Sequence, residues 1–154
     1  MRNARERGMS LIEVILALGL LAGVLISVGG LFVMSERQVK SGKTATQALA
    51  VARAINEEIN GWGFRQTYGV FGSDGSAASY TYDTRVNAYA AKWQTMLDDG
   101  LEHGSYATIN VASSELADGN TPNLNVAKAI RVTVTVFWSE GARNRNVRVM
   151  SVRM

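Results

Sequence analysis

The sequence predicts an α+β fold: a long N-terminal helix, transmembrane in its first half and amphipathic in its second, packed on a small C-terminal antiparallel β-sheet. Three observations carry that prediction. Residues 14–34 hold no charge, Ala45, Leu49, Ala52, Ile55 and Ile59 recur at spacings of three or four, and Ile130, Val132, Val134, Val136 and Trp138 alternate with Arg131, Thr133 and Thr135.

A chain of 154 residues holds about one domain, and its 47% hydrophobic content is raised by the N-terminal run. The absence of cysteine excludes a disulfide framework, a thiol nucleophile and thiolate metal sites. Sixteen Lys+Arg against 13 Asp+Glu leave a net charge of +3, too small a bias to point to nucleic acid by itself.

The first element is flanked by Arg2, Arg5 and Arg7 against Glu6, and positive charge beside an apolar segment keeps that flank cytoplasmic. At about 1.5 Å of rise each, residues 14–34 reach about 32 Å, enough for a hydrocarbon core of about 30 Å. A secretory signal peptide has a shorter apolar core with a small residue on its far side, whereas Gly8 precedes the run. Glu13 is the anomaly, because a carboxylate in an apolar span costs about 2.5–3.5 kcal/mol and requires a partner. No base lies within residues 14–34, so the partner comes from outside the span. Met9 and Glu13 share a helix face, and a pairing made between molecules would fix the axial register of packed helices.

The run Gly8-Met9-Ser10-Leu11-Ile12-Glu13 ahead of the apolar segment resembles the type IV prepilin signature. The chain is similar over residues 7–31 to the pilin-like family of type IV pili and type II secretion pseudopili. The resemblance implies a leader, residues 1–8, removed after Gly8 by a prepilin peptidase, methylation of the new N-terminus at Met9, and a docking role for Glu13 in the growing filament. The partners it implies are other pilins or pseudopilins through the N-terminal helix, the peptidase, an inner-membrane assembly platform, and membrane lipid before assembly. Met9 stands where major pilins carry phenylalanine, a substitution the family shows in minor pilins and pseudopilins. Gly29 and Gly30 stand near the place of a helix-loosening proline in major pilins, and paired glycines cost about 1 kcal/mol each relative to alanine. Gly19 and Gly23 form a small-xxx-small pattern suited to close helix approach.

Residues 35–60 contain no proline, so the helix is expected to continue, with Glu36, Arg37, Lys40, Lys43 and Arg53 on a solvated face and Gly61 and Gly63 ending it. The resulting segments are 1–8 (leader), 9–34 (membrane and filament core), 35–61 (amphipathic continuation) and 62–154 (head). In the head, Trp62, Phe64, Tyr68 and Phe71 are expected core anchors and residues 72–78 a mobile loop. Asp83 or Thr84 is expected to cap a second helix running to about Asp99, with Val86, Ala90, Trp93 and Leu97 on one face and Gly100 at its end. Residues 108–111 read as a short strand, 139–144 as a turn and 146–152 as the strand that pairs with 130–138 and covers Leu49, Ile55 and Ile59. This last pairing resembles the end of minor pilins and smaller minor pseudopilins.

Catalytic candidates are few. His103 is the only histidine and nothing brings serine and aspartate to it. Asp98-Asp99-Gly100 and Asp118-Gly119-Asn120 have turn chemistry without the alternating oxygen ligands of a calcium loop. Arg143, Arg145, Arg148 and Arg153 give the hairpin a positive edge that deters edge pairing or contacts phosphates. The expectation is no enzyme, no cofactor and no metal, but a minor pilin or minor pseudopilin. Such a subunit sits in the bacterial inner membrane with its N-terminus cytoplasmic and its head periplasmic, then enters a filament that it primes or caps. Two other readings stand beside it: a tip adhesin or DNA-binding minor pilin that uses the arginine hairpin and aromatic loop, and a membrane-anchored periplasmic domain outside any filament.

Overall fold

A computed structural model describes residues 10–101, 104–114 and 122–154. The element order is α1 (Leu11–Asn60), α2 (Gln66–Gly69), β1 (Ser79–Asp83), α3 (Ala91–Gly100), β2 (Tyr106–Ser113), β3 (Ile130–Glu140) and β4 (Arg143–Arg153), an α+β layout. Two compact units result, Met1–Lys40 and Ser41–Met154.

α1 runs unbroken through Gly29 and Gly30, and it stops where Gly61 donates to the carbonyls of Glu57 and Glu58, both at 3.1 Å. Within the first unit every described residue is exposed. Within the second, the buried stripe of α1 is Ala48, Ala52, Ile55, Asn56 and Ile59. Ala45, expected on that stripe, is exposed, and Leu49 is half-buried at its margin. The spacing of three or four holds, but the face is turned toward Ala48, which is fully buried.

The sheet is an antiparallel meander in the order β1-β2-β3-β4. On β3, Ile130, Val132, Val134, Val136 and Trp138 all face the core, as their alternation requires. They join Ala107, Ile109 and Val111 of β2 and the stripe of α1 in one cluster, so the second half of α1 packs on the sheet. β2 and β4 are longer than their expected segments, and the hairpin loop narrows to Gly141 and Ala142 between the paired Glu140 and Arg143. Gly141 has φ 60°, which a primed two-residue turn demands at its first position.

The region between α1 and β2 departs most from expectation. Residues 79–83 form β1, and the helix expected from Asp83 or Thr84 begins at Ala91 instead. Both expected caps are engaged elsewhere: the Asp83 carboxylate accepts from the Arg85 backbone at 2.9 Å, and the Thr84 hydroxyl takes the Ala107 N–H at 3.0 Å. Asn87 organises the entry, its Oδ1 accepting the N–H groups of Tyr89 and Ala90 at 3.0 and 3.2 Å. Val86 is therefore 84% exposed, while Ala90, Trp93 and Leu97 reach the core as expected. Residues 72–78, expected as a mobile loop, are braced: Asp74 Oδ1 accepts from Ser76 N at 3.0 Å and from Tyr80 Oη at 2.7 Å.

Candidate functional site

The feature that demands an explanation outside the chain is the first part of α1. Leu20, Ile26 and Phe32 point in different directions round the helix, yet they are 73, 77 and 70% exposed. An all-round apolar helix requires an apolar environment, and the described residues supply none of it. The helix is long and apolar enough to cross a membrane. Ser27 does not spoil that property, because its Oγ donates to the Gly23 carbonyl at 2.8 Å within the same helix. A Cβ built on Gly19, Gly23, Gly29 or Gly30 meets nothing within 4 Å, so no packing among the described residues calls for glycine at those places.

Glu13 stands in the first turn of α1, where its N–H and that of Val14 donate to the Ser10 carbonyl at 2.9 and 3.2 Å. The partly positive N-terminal end of the helix favours a carboxylate there by about 0.3–1 kcal/mol. Among the described residues the Glu13 carboxylate has no ion pair or hydrogen-bond partner. Gly8 and Met9, the processing candidates, lie outside the described residues, as do His103 and the 118–120 turn.

The other sequence candidates are dispersed. Tyr68 and Phe71 belong to the core with Trp93 and Tyr82, the Phe71 and Tyr82 rings stacking at 4.1 Å, and Trp62 packs half-buried against it, so among the described residues no free aromatic platform forms there. The four hairpin arginines do not make one positive edge. Arg145 Nε lies 3.3 Å from Glu140, Arg153 reaches the end of α1, Arg148 stands on the outer sheet face and Arg143 is exposed beside the turn. Asp98 and Asp99 sit in the last turn of α3, with Asp98 Oδ1 accepting from Gln94 Nε2 at 2.9 Å. Among the described residues no group of acids and histidine is placed to hold a metal ion.

Several charged side chains of the second unit have structural contacts. Glu58 of α1 accepts from Trp93 Nε1 at 2.8 Å and pairs with Lys92, tying α3 to α1. Partial burial works upward on this carboxyl, but the hydrogen bonds of Lys92 and Trp93 and the Lys92 charge hold it below its ordinary value. Asp74, held by the backbone and side chain of Ser76 and by Tyr80, is brought down to about 2. Burial raises the Tyr82 phenol, whose hydroxyl donates to Ser73 Oγ at 2.7 Å. Sequence reasoning missed the contact of Ser151 Oγ with Asn56 Oδ1 at 2.9 Å. Its only trace is a polar residue inside an apolar helix stripe.

The chain matches no family model and no curated protein, and its fold matches no solved structure.

Proposed function

We propose that this protein is a structural subunit of a pilin-like filament, a minor pilin or minor pseudopilin rather than an enzyme. One observation supports it most: a wholly exposed apolar helix that carries a single carboxylate in its first turn and continues into the helix on which a four-stranded sheet packs. The prepilin-like run from Gly8 to Glu13 gives that arrangement a use. The apolar helix is held in the inner membrane first, and is then buried against the helices of neighbouring subunits once the leader is removed after Gly8. Burial in either setting answers the same hydrophobic demand, so transfer from lipid to filament exchanges one apolar environment for another.

Glu13 gives the transfer its direction. In lipid it is costly, and beside the new α-amino group of a neighbouring subunit's Met9 it is paired. The electrostatic gain therefore appears only on assembly, and it appears in one register. Mass spectrometry of the protein's N-terminus in cells that make the filament tests the proposal. A chain beginning at methylated Met9 is expected, and a chain that retains Arg2 to Gly8 and never leaves the membrane fraction overturns it.

A further inference from the structure

The outer face of the sheet, turned away from α1, carries a chemistry that the filament reading does not use. Thr108, Thr133, Phe137, Arg131, Arg148 and Met150 are among the residues that line one open depression of about 450 Å³. Strand register sets Thr133 opposite Met150 and Thr135 opposite Arg148, so the two guanidinia flank a row of threonine and methionine. Neither arginine has an ion pair or hydrogen bond among the described residues, and no carboxylate lines the depression. Asp83, the acid opposite Thr108 on β1, is held by Arg85 at 2.5 Å. Among the described residues the face is therefore positive and uncompensated. It is also partly apolar, with Met150 60% and Val152 55% exposed on β4, an edge strand.

The form of the depression restricts its occupant. It is open, unlike the enclosed pocket a small molecule needs, and so suits an extended segment. Little aromatic surface is open for stacking bases or sugar rings: Phe137, the ring that lines the depression, is half-buried and stacked at 4.9 Å on Tyr106, which carries the Arg85 guanidinium 3.7 Å from its ring centroid. What remains is two planar forks matched to carboxylates, the half-buried Thr133, one half-buried ring and an exposed thioether. We propose that this face docks an acidic, partly apolar polypeptide segment of another protein, its carboxylates held by Arg131 and Arg148 and an apolar side chain set against Met150. The inference rests on the second unit alone, and it stands or falls separately from the role of the N-terminal helix.

The test uses the full chain in detergent and a fluorescein-labelled peptide of glutamates around a central leucine, read by anisotropy. Binding of this peptide, and none of its glutamine counterpart, is expected. The double variant Arg131→Gln/Arg148→Gln is expected to weaken it at least tenfold, while Arg143→Gln, an exposed arginine outside the depression, changes it less than twofold. Thr133→Glu, which sets a like charge inside the depression, gives a loss of the same size by repulsion and keeps the test open should the double variant misfold. The proposal is overturned if the acidic peptide does not bind or if Arg143→Gln weakens it equally. It is also overturned if a labelled oligothymidylate of equal charge binds as tightly and with the same dependence on Arg131 and Arg148.

Discussion

Arg153 of β4 donates from Nη1 to the carbonyl oxygen of Ile59 in the last turn of α1, at 3.1 Å. The same guanidinium reaches Thr67 Oγ1 at 3.0 Å and the Trp62 carbonyl, so one planar fork closes the helix end, α2 and the final strand on each other. The last carbonyls of a helix have no partner within it, and α1 has no basic residue of its own in that turn. Sheet and helix end are thereby tied by a charge brought from 94 positions away.

Removing that fork is expected to cost about 1.5–3 kcal/mol, the range for hydrogen bonds to a charged group. Arg153→Ala should lower the stability of the full chain in detergent by that amount, measured by denaturant unfolding followed through tryptophan fluorescence. Arg153→Lys should restore less than half, since an ammonium cannot serve three oxygens in the geometry of a planar fork.

Glu13→Ala is expected to leave membrane insertion intact or improved, because it removes a carboxylate from an apolar span. Incorporation into sheared filaments, measured against the membrane-bound pool, should fall severalfold. Wild-type incorporation would show that Glu13 has no role in assembly.

The glycines divide into two classes. Gly75 has φ 75°, and a Cβ there would stand 2.6 Å from Asn125 Oδ1 and 2.7 Å from Tyr68 Cε2, so Gly75→Ala should destabilise by about 1–3 kcal/mol. Gly29→Ala and Gly30→Ala meet nothing, and each should raise helix stability by up to about 1 kcal/mol. If a filament requires local loosening there, that gain will come with impaired assembly, read as helicity by circular dichroism against filament yield.

Acid should destabilise the second unit in part through its depressed carboxyls. Glu58, Asp74 and Asp83 all lie below their ordinary values, so the folded chain stays deprotonated where the unfolded chain already binds protons. Their contribution is complete above the ordinary carboxylate range, and it is lost as pH falls through the folded values, for Asp74 at about 2. The thermal midpoint should be flat from neutrality to about pH 5 and decline from about pH 4 downward. Asp74→Asn should make that decline shallower.

Local pattern alone makes several elements readable. The alternation of Ile130 to Trp138 fixes a face because a strand's side chains have a period of two, and all five residues are buried. The length of α1 follows from unbroken apolar and amphipathic runs without proline, stopped by Gly61. Glu13 stands out for a similar reason, since a lone acid in an apolar run is visible from the residue order itself. By contrast, β1 is not legible in the sequence, because Tyr80 and Tyr82 sit among small polar residues that also suit a loop, and its strand character comes from pairing with β2.

By itself, then, the sequence determined the buried face of β3, the helical period of the second half of α1 and the apolar first half of α1, because these depend on spacing and composition along the chain. Only tertiary structure decided the rotation of the α1 stripe toward Ala48, the conversion of Asp83 and Thr84 from helix caps to strand-end contacts, and the separation of four hairpin arginines to different tasks. Each depends on which distant group arrives within hydrogen-bond reach. Spacing along one segment does not encode that, because the arriving groups belong to other strands and helices.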